Sequence, residues 1–191
     1  TELPRAELRR PYQATLQAVG GITPYHWEIT SGSPPPGIVL GTDGTLSGSA
    51  SQPGDFRFTV TLSDGAKPAH QLNREFTLSV VTPLLAEWGR PPKVNGQRLE
   101  GSIKVSNATD HDFDLTMVAL AVAENGRATA VGYQRLKVAS GAVGTELPFA
   151  QDLPFGTYQL NVDVVAEVAS TQAIYRARLV PDQPIKVEQG P

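Results

Sequence analysis

Cysteine is absent from all 191 residues, so no disulfide, thiolate nucleophile or sulfur-ligated metal can be built from this chain. Stability has to come from packing. Histidine is scarce: His26, His70 and His111 are scattered, and no two share a metal-binding spacing. Charged residues make up only 18%, the net charge is -3, and no basic cluster exceeds Arg9-Arg10. Such a chain has no field to collect phosphates or an anionic membrane, which argues against a nucleic-acid partner. Long apolar runs are missing too. "MVALAVA" at 117–123 falls far short of the roughly 20 residues a membrane helix needs; no membrane insertion is expected, and no signal peptide is visible. The chain starts at Thr1 and its single methionine is Met117, which reads as an excised or processed piece, expected to be a monomer. No G-x-S-x-G elbow, P-loop or G-x-G-x-x-G occurs. The acids sit in turns or alternate outward, as Asp163 and Glu167 do, rather than facing one another across a cleft. No nucleophile, base and orienting partner can be assembled, so the chain is read as not an enzyme, with no catalytic residues.

What is present is alternation. Apolar residues reach 40%, accompanied by 18 glycines and 16 prolines, the composition of many short strands joined by tight turns. Period two marks a half-buried strand. It places Tyr12, Ala14, Leu16 and Ala18 on one face, then Tyr25, Trp27 and Ile29, then Phe56, Phe58, Val60 and Leu62, then Phe76, Leu78 and Val80. Gly20-Gly21, "SGSPPPG", "GTDGT", "QPGD" and "SDGAKP" punctuate these runs at sandwich-like intervals. Proline lacks the ladder N–H and fixes φ, so Pro34-Pro35-Pro36 must leave the sheet and carry the chain across the sandwich edge, with Gly37 freeing the backbone before Ile38 and Leu40.

At "VTPLLAEWGRPPKVNGQ", residues 81–97, the period is lost among three prolines. A domain junction is expected there, giving domains at 1–82 and 98–191 separated by a proline-rich segment at 83–97. In the second half "FDLTMVALAVA" is apolar on both faces. Leu115, Val118, Ala119 and Val122 also fit a helical stripe, and the Asn125-Gly126 hairpin signal that follows tips the reading toward a central strand. "LPFGTYQLNVDVVAEV" then aligns Tyr158, Leu160, Val162, Val164, Ala166 and Val168. Gly54-Asp55-Phe56 over Gly156-Thr157-Tyr158 matches the glycine, the aromatic and the alternation beyond them, which implies a tandem repeat. Final strands are expected at 72–81 and 172–180. The fold class is therefore all-β, with two β-sandwiches in tandem.

Residues 11–64 carry Gly20-Gly21, Pro24-Tyr25-x-Trp27, Ser31-Gly32, Pro36-Gly37, the Gly44-Thr45-Leu46-Ser47-Gly48 hairpin and the Phe56–Asp64 strand. On these motifs the first half resembles a bacterial immunoglobulin-like domain family, cadherin-like and dystroglycan-like in fold. Pro34 departs from the leucine usual there. The second half has only a generic immunoglobulin-like or fibronectin-like look, carried by Leu153-Pro154-x-Gly156-x-Tyr158. The resemblance implies a secreted or cell-surface location and a role as structural spacer, scaffold or adhesion element, in contact with proteins or glycans at the cell surface. It also raises Asp64, at the end of the first domain, as a calcium candidate, because cadherin-like repeats bind the ion between modules.

Other candidates come from the residues themselves. Asp110, Asp112 and Asp114 alternate in "NATDHDFDL", an arrangement that can aim three carboxylates at calcium. The EF-hand pattern fails there, since Leu115 stands where glycine is required and Ala121 where glutamate is, and a plain solvated turn is the favoured reading. Apart from calcium, no cofactor is expected. Asn107-Ala108-Thr109 is a glycosylation sequon. Trp88 either packs with Leu84 and Leu85 at the domain joint or, with Tyr133 and Tyr175, offers a ring for sugar stacking. The second option is the alternative function, a carbohydrate-binding module of a secreted enzyme.

Overall fold

A computed structural model describes residues 1–188 and resolves the alternation into fifteen strands. The last three positions of the expected second domain, 189–191, lie outside the described residues. Among those described there is no helix, hence none long and apolar enough to cross a membrane. The chain divides into two units, Thr1–Thr82 and Pro83–Pro191.

In the first unit β1 (Ala6–Glu7), β3 (His26–Gly32), β6 (Gly54–Ser63) and β7 (Gln71–Val81) form one sheet, ordered β1-β7-β6-β3. A second sheet joins β2 (Pro11–Thr15), β5 (Thr45–Ser49) and β4 (Ile38–Leu40) in the order β2-β5-β4. Trp27, Phe58, Val60, Phe76, Leu78 and Val80 line the first sheet's inner face, against Tyr12, Ile38 and Leu46 from the second. Each large side chain so buried contributes about 1.5–3 kcal/mol. The Phe58 and Phe76 rings stack with centroids 6.3 Å apart. The opening segment is shared between the sheets: Ala6 lies opposite Val80 in a parallel pair, and Tyr12 opposite Gly48 in an antiparallel one.

The three prolines do cross the sandwich edge. They leave β3 in one sheet and deliver the chain to β4 in the other. Their carbonyls remain useful although they have no N–H: Pro35 accepts from Ile38 N at 2.9 Å and Pro36 from Ser51 N at 2.9 Å. Gly37 has φ +93° and its backbone lies against that of Ser49, so a Cβ would run into the Ser49 carbonyl oxygen. Only glycine fits that approach.

In the second unit β8 (Leu84–Asn95), β9 (Arg98–Asn107) and β12 (Thr145–Asp152) form one sheet, ordered β12-β9-β8. Opposite stand β11 (Ala128–Val138), β10 (Phe113–Ala123), β13 (Gly156–Val168) and β14 (Ala173–Leu179), in that order. A short β15 (Ile185–Val187), which the sequence reading lacked, pairs with the start of β13. Phe113, Leu115, Met117, Leu160, Val162 and Val164 meet Leu99, Ile103, Val105 and Leu147 in the core. β10 is thus a central strand rather than a helix. Its hairpin to β11 closes through Ala123 N to Arg127 O at 2.9 Å, around Asn125-Gly126.

The expected junction at 83–97 is corrected by the structure. Residues 84–95 are not a linker but β8, paired along β9 from Leu84 opposite Asn107 to Asn95 opposite Arg98. The register slips between Trp88 and Arg90 and again between Arg90 and Lys93. The first skips Gly89 and the second absorbs Pro91 and Pro92, and β8 is a sheet edge, where a missing donor leaves no partner unsatisfied. The Ser102 hydroxyl seals the first irregularity: it accepts from Arg90 N at 2.9 Å and donates to Glu146 Oε1 at 2.6 Å. That bond, followed by the nearby Arg90 and Lys104 charges, lowers the Glu146 pKa.

Candidate functional site

Asp64 closes β6, and its side chain is only 7% exposed. Both carboxylate oxygens are engaged. Oδ1 accepts from His70 N at 2.8 Å and Ala66 N at 3.2 Å; Oδ2 accepts from Ile22 N at 3.2 Å and lies 3.0 Å from His70 Nδ1. An ionised carboxylate only accepts, so the proton in the last contact sits on the imidazole. The His70 ring, then the His70, Ile22 and Ala66 amides, hold the Asp64 carboxyl well below the usual carboxylate range. Asp64 therefore ties the β6–β7 loop to the segment before β3 and has no oxygen turned away from these donors.

The aspartates of "DHDFD" share the rim of one open cavity with Lys137 but do not converge as a metal site. Asp112 Oδ1 accepts from Ser140 N at 2.9 Å, and Asp114 lies on β10 between Lys137 of β11 and Glu167 of β13. Asp110 is exposed in the preceding turn. Among the described residues no three or more histidine, aspartate or glutamate side chains are grouped to hold a metal ion.

Just before them the sequon proves to be a structural lock. Asn107 is 1% exposed. Its Nδ2 donates to the carbonyls of His111 at 2.8 Å, Val138 at 3.2 Å and Ala139 at 3.2 Å. Its Oδ1 accepts from Thr109 N at 3.0 Å and Thr109 Oγ1 at 2.8 Å. One amide thus pins the end of β9, the turn into β10 and the end of β11. The buried amide leaves no nitrogen for a glycan.

The three aromatic candidates separate. Trp88 is half-buried on β8, opposite Ile103, with its ring edge-on to Phe149 at 6.5 Å; it packs within the second unit's own core. Leu84 is likewise buried in that core, whereas Leu85 is exposed. Tyr175 is half-buried on β14, with its ring 5.5 Å from Phe113. Tyr133 stands in solvent at 66% exposure. His26 and His111 are both exposed.

Tyr133 has a setting that the sequence reading missed. Across the outer face of the larger sheet it lies opposite Val118, Val118 opposite Asp163, and Asp163 opposite Arg178. The next row runs Ala130, Leu120, Asn161, and the one after it Ala128, Val122, Gln159. Val118, Leu120 and Val122 are half-buried, while Met117, Ala119 and Ala121 on the same strand are sealed inside. Arg178 grips Asp163 with two bonds, Nε to Oδ1 at 2.6 Å and an Nη to Oδ2 at 3.1 Å. The signal was present as apolar residues on both faces of 113–123. The inner half is explained by the core and the outer half is not.

In the first unit two sheets share a split opening strand that runs parallel to the last one. This is the arrangement of an immunoglobulin-like sandwich. Residues 1–81 match the family model described as "Putative Ig domain", so the N-terminal unit is similar to the immunoglobulin-like domains of that family. No curated protein matches the chain. Among solved structures, dimeric latent PorU from Porphyromonas gingivalis is 17% identical over 75% of this chain and 14% of its own, with a TM-score of 0.32. A DUF4785 family protein from Legionella pneumophila is 13% identical over 97% of this chain and 55% of its own, TM-score 0.34. Immunoglobulin domains 1–5 of Sidekick-1 are 12% identical over 92% of this chain and 36% of theirs, TM-score 0.29. The chain therefore spans about half or less of each. None of these scores supports an argument, and the assignment rests on strand topology and the family match.

Proposed function

We propose that the chain is a non-enzymatic pair of β-sandwich modules from a secreted or cell-surface bacterial protein, serving as a spacer, scaffold or protein-interaction element. The observation that carries this reading is the parallel attachment of the first strand. Thr77 N donates to Thr1 O at 2.9 Å, Leu3 N to Thr77 O at 3.0 Å, and Leu8 N to Val81 O at 2.9 Å. The chain leaves the unit directly after β7. Tension between the two ends of the unit therefore loads neighbouring parallel strands in shear, and these bonds resist together rather than one after another. A load-bearing spacer has use for such an attachment. Among the described residues every buried side-chain nitrogen and oxygen has a hydrogen-bond partner, so both cores are closed.

Single-molecule stretching of the first unit between residues 1 and 82 tests this. A sharp rupture is expected, at a force that falls when Leu3→Pro and Leu8→Pro remove two of the donors. Smooth extension at low force, indifferent to those substitutions, would overturn the reading.

A further inference from the structure

We propose that the outer face of the β11-β10-β13-β14 sheet is a binding surface for a neutral glycan chain, with Tyr133 as its aromatic platform. The proposal goes beyond the spacer reading and does not depend on it. Neighbouring strands lie about 4.8 Å apart, and alternate residues along a strand about 7 Å apart. The register therefore sets Tyr133 roughly 10 Å from Asp163 across the sheet, and the three rows from Val118 to Val122 cover roughly 14 Å along it. Two ladders run side by side over that length. One is apolar, Val118, Leu120 and Val122 on the central strand; the other is polar, Asp163, Asn161 and Gln159 on β13.

A sugar chain has the same division, with C–H faces that rest on an aromatic or aliphatic surface and a rim of hydroxyls that both donate and accept. The two side-chain amides offer both kinds of bond to that rim. Within the three rows the one acid, Asp163, is paired with Arg178 at 2.6 Å, so the strip itself carries no net charge; Arg135 and Arg176 stand in the adjoining row outside it. A protein covering the face with apolar side chains would bury the Asn161 and Gln159 amides without partners, at a cost. A hydroxylated ligand supplies those partners. Tyr133 is exposed while Tyr175 and Trp88 are held by Phe113 and Phe149, so the strip has one free ring and suits a shallow, modest-affinity site.

The test is amide chemical-shift mapping of the whole chain titrated with cellohexaose, xylohexaose, mannohexaose and chitohexaose, each to about 10 mM, a range that detects even millimolar affinity. At least one should shift resonances confined to β10, β11 and β13. Tyr133→Ala should weaken that binding about tenfold or more, Tyr133→Phe should retain most of it, and Asn161→Ala should weaken it several-fold. Val39→Ala, an exposed change in the first unit, should leave it unaltered. The proposal is overturned if none of the four shifts these strands, or if binding survives Tyr133→Ala. It is equally overturned if sedimentation shows a dimer that Tyr133→Ala dissolves, because the face would then belong to a second copy.

Discussion

Replacing Asn107 with alanine removes the amide that joins three segments of the second unit. Two N–H groups shared among the His111, Val138 and Ala139 carbonyls are lost, and so is the oxygen that Thr109 N and Oγ1 both approach. Each such bond has a net worth of about 1 kcal/mol, and a buried group left without a partner costs about 1–3 kcal/mol. Thr109 Oγ1 keeps a partner in the His111 carbonyl at 3.0 Å, which limits the damage. The expected loss is therefore about 3–5 kcal/mol, or roughly 10–25 °C in the melting temperature of a unit of about 100 residues. Differential scanning calorimetry of the whole chain reads it directly: one transition should fall by that amount while the other stays. Asn107→Asp should be no milder, because a carboxylate oxygen would face carbonyls in place of a donor. A loss under about 1 kcal/mol, or a glycan found on Asn107 in folded protein from a glycosylating host, would refute the reasoning.

Gly37→Ala should destabilise the first unit by about 2–3 kcal/mol, seen in denaturant unfolding, since the added Cβ meets the Ser49 carbonyl rather than a yielding side chain. Trp88→Ala should lower only the second unit's transition, by about 2 kcal/mol for a half-buried ring; a first-unit shift would return Trp88 to a joint. Asp64 titrates below its usual range in the folded state, so the unfolded chain takes up that proton first. Its stabilisation is present in full above the unfolded value near 4 and is lost as pH falls through the lower folded value. Melting curves between neutral and acid pH should show a shallower acid decline in Asp64→Asn than in wild type, and parallel curves would contradict this. Calcium and chelator should give superimposable melts, because Asp110, Asp112 and Asp114 do not converge; a rise of several degrees with calcium would sink that expectation.

The strands of the first unit were legible because one face of each is wet, so burial is written as period two. Trp27, Phe58, Val60, Phe76 and Leu78 follow that period and face inward. β8 was not legible for the opposite reason. An edge strand with two register slips loses its period, and a proline pair in an edge is indistinguishable by composition from a proline pair in a linker. Asn107 shows a different limit. The triplet that marks it is the same whether the amide faces solvent or three carbonyls, and only the fold brings those carbonyls within 3.2 Å. The aspartate triplet shows a related limit, since alternation aims side chains together only within a strand, and β10 starts at Phe113, after two of the three.

The alignment of Gly54-x-Phe56 with Gly156-x-Tyr158 has a physical meaning that also separates the two units. Both glycines open long strands, β6 and β13, and both aromatics pack near the strand entry. Tyr158 has a hydroxyl and uses it, donating to Pro154 O at 2.9 Å, a bond back to the turn of the kind that closes a tyrosine corner. Phe56 has none, and the first unit uses the hydroxyls of other tyrosines elsewhere: Tyr12 donates to Pro4 O at 3.1 Å, and Tyr25 to Gly20 O in the loop before β3. The same packing problem is thus closed by hydrogen bonds at different places. Tyr158→Phe should therefore weaken the second unit by about 1 kcal/mol, whereas Phe56→Tyr should bring the first unit no comparable gain. If calorimetry showed the two substitutions to be equal and opposite, the two strand entries would be equivalent and the distinction would fail.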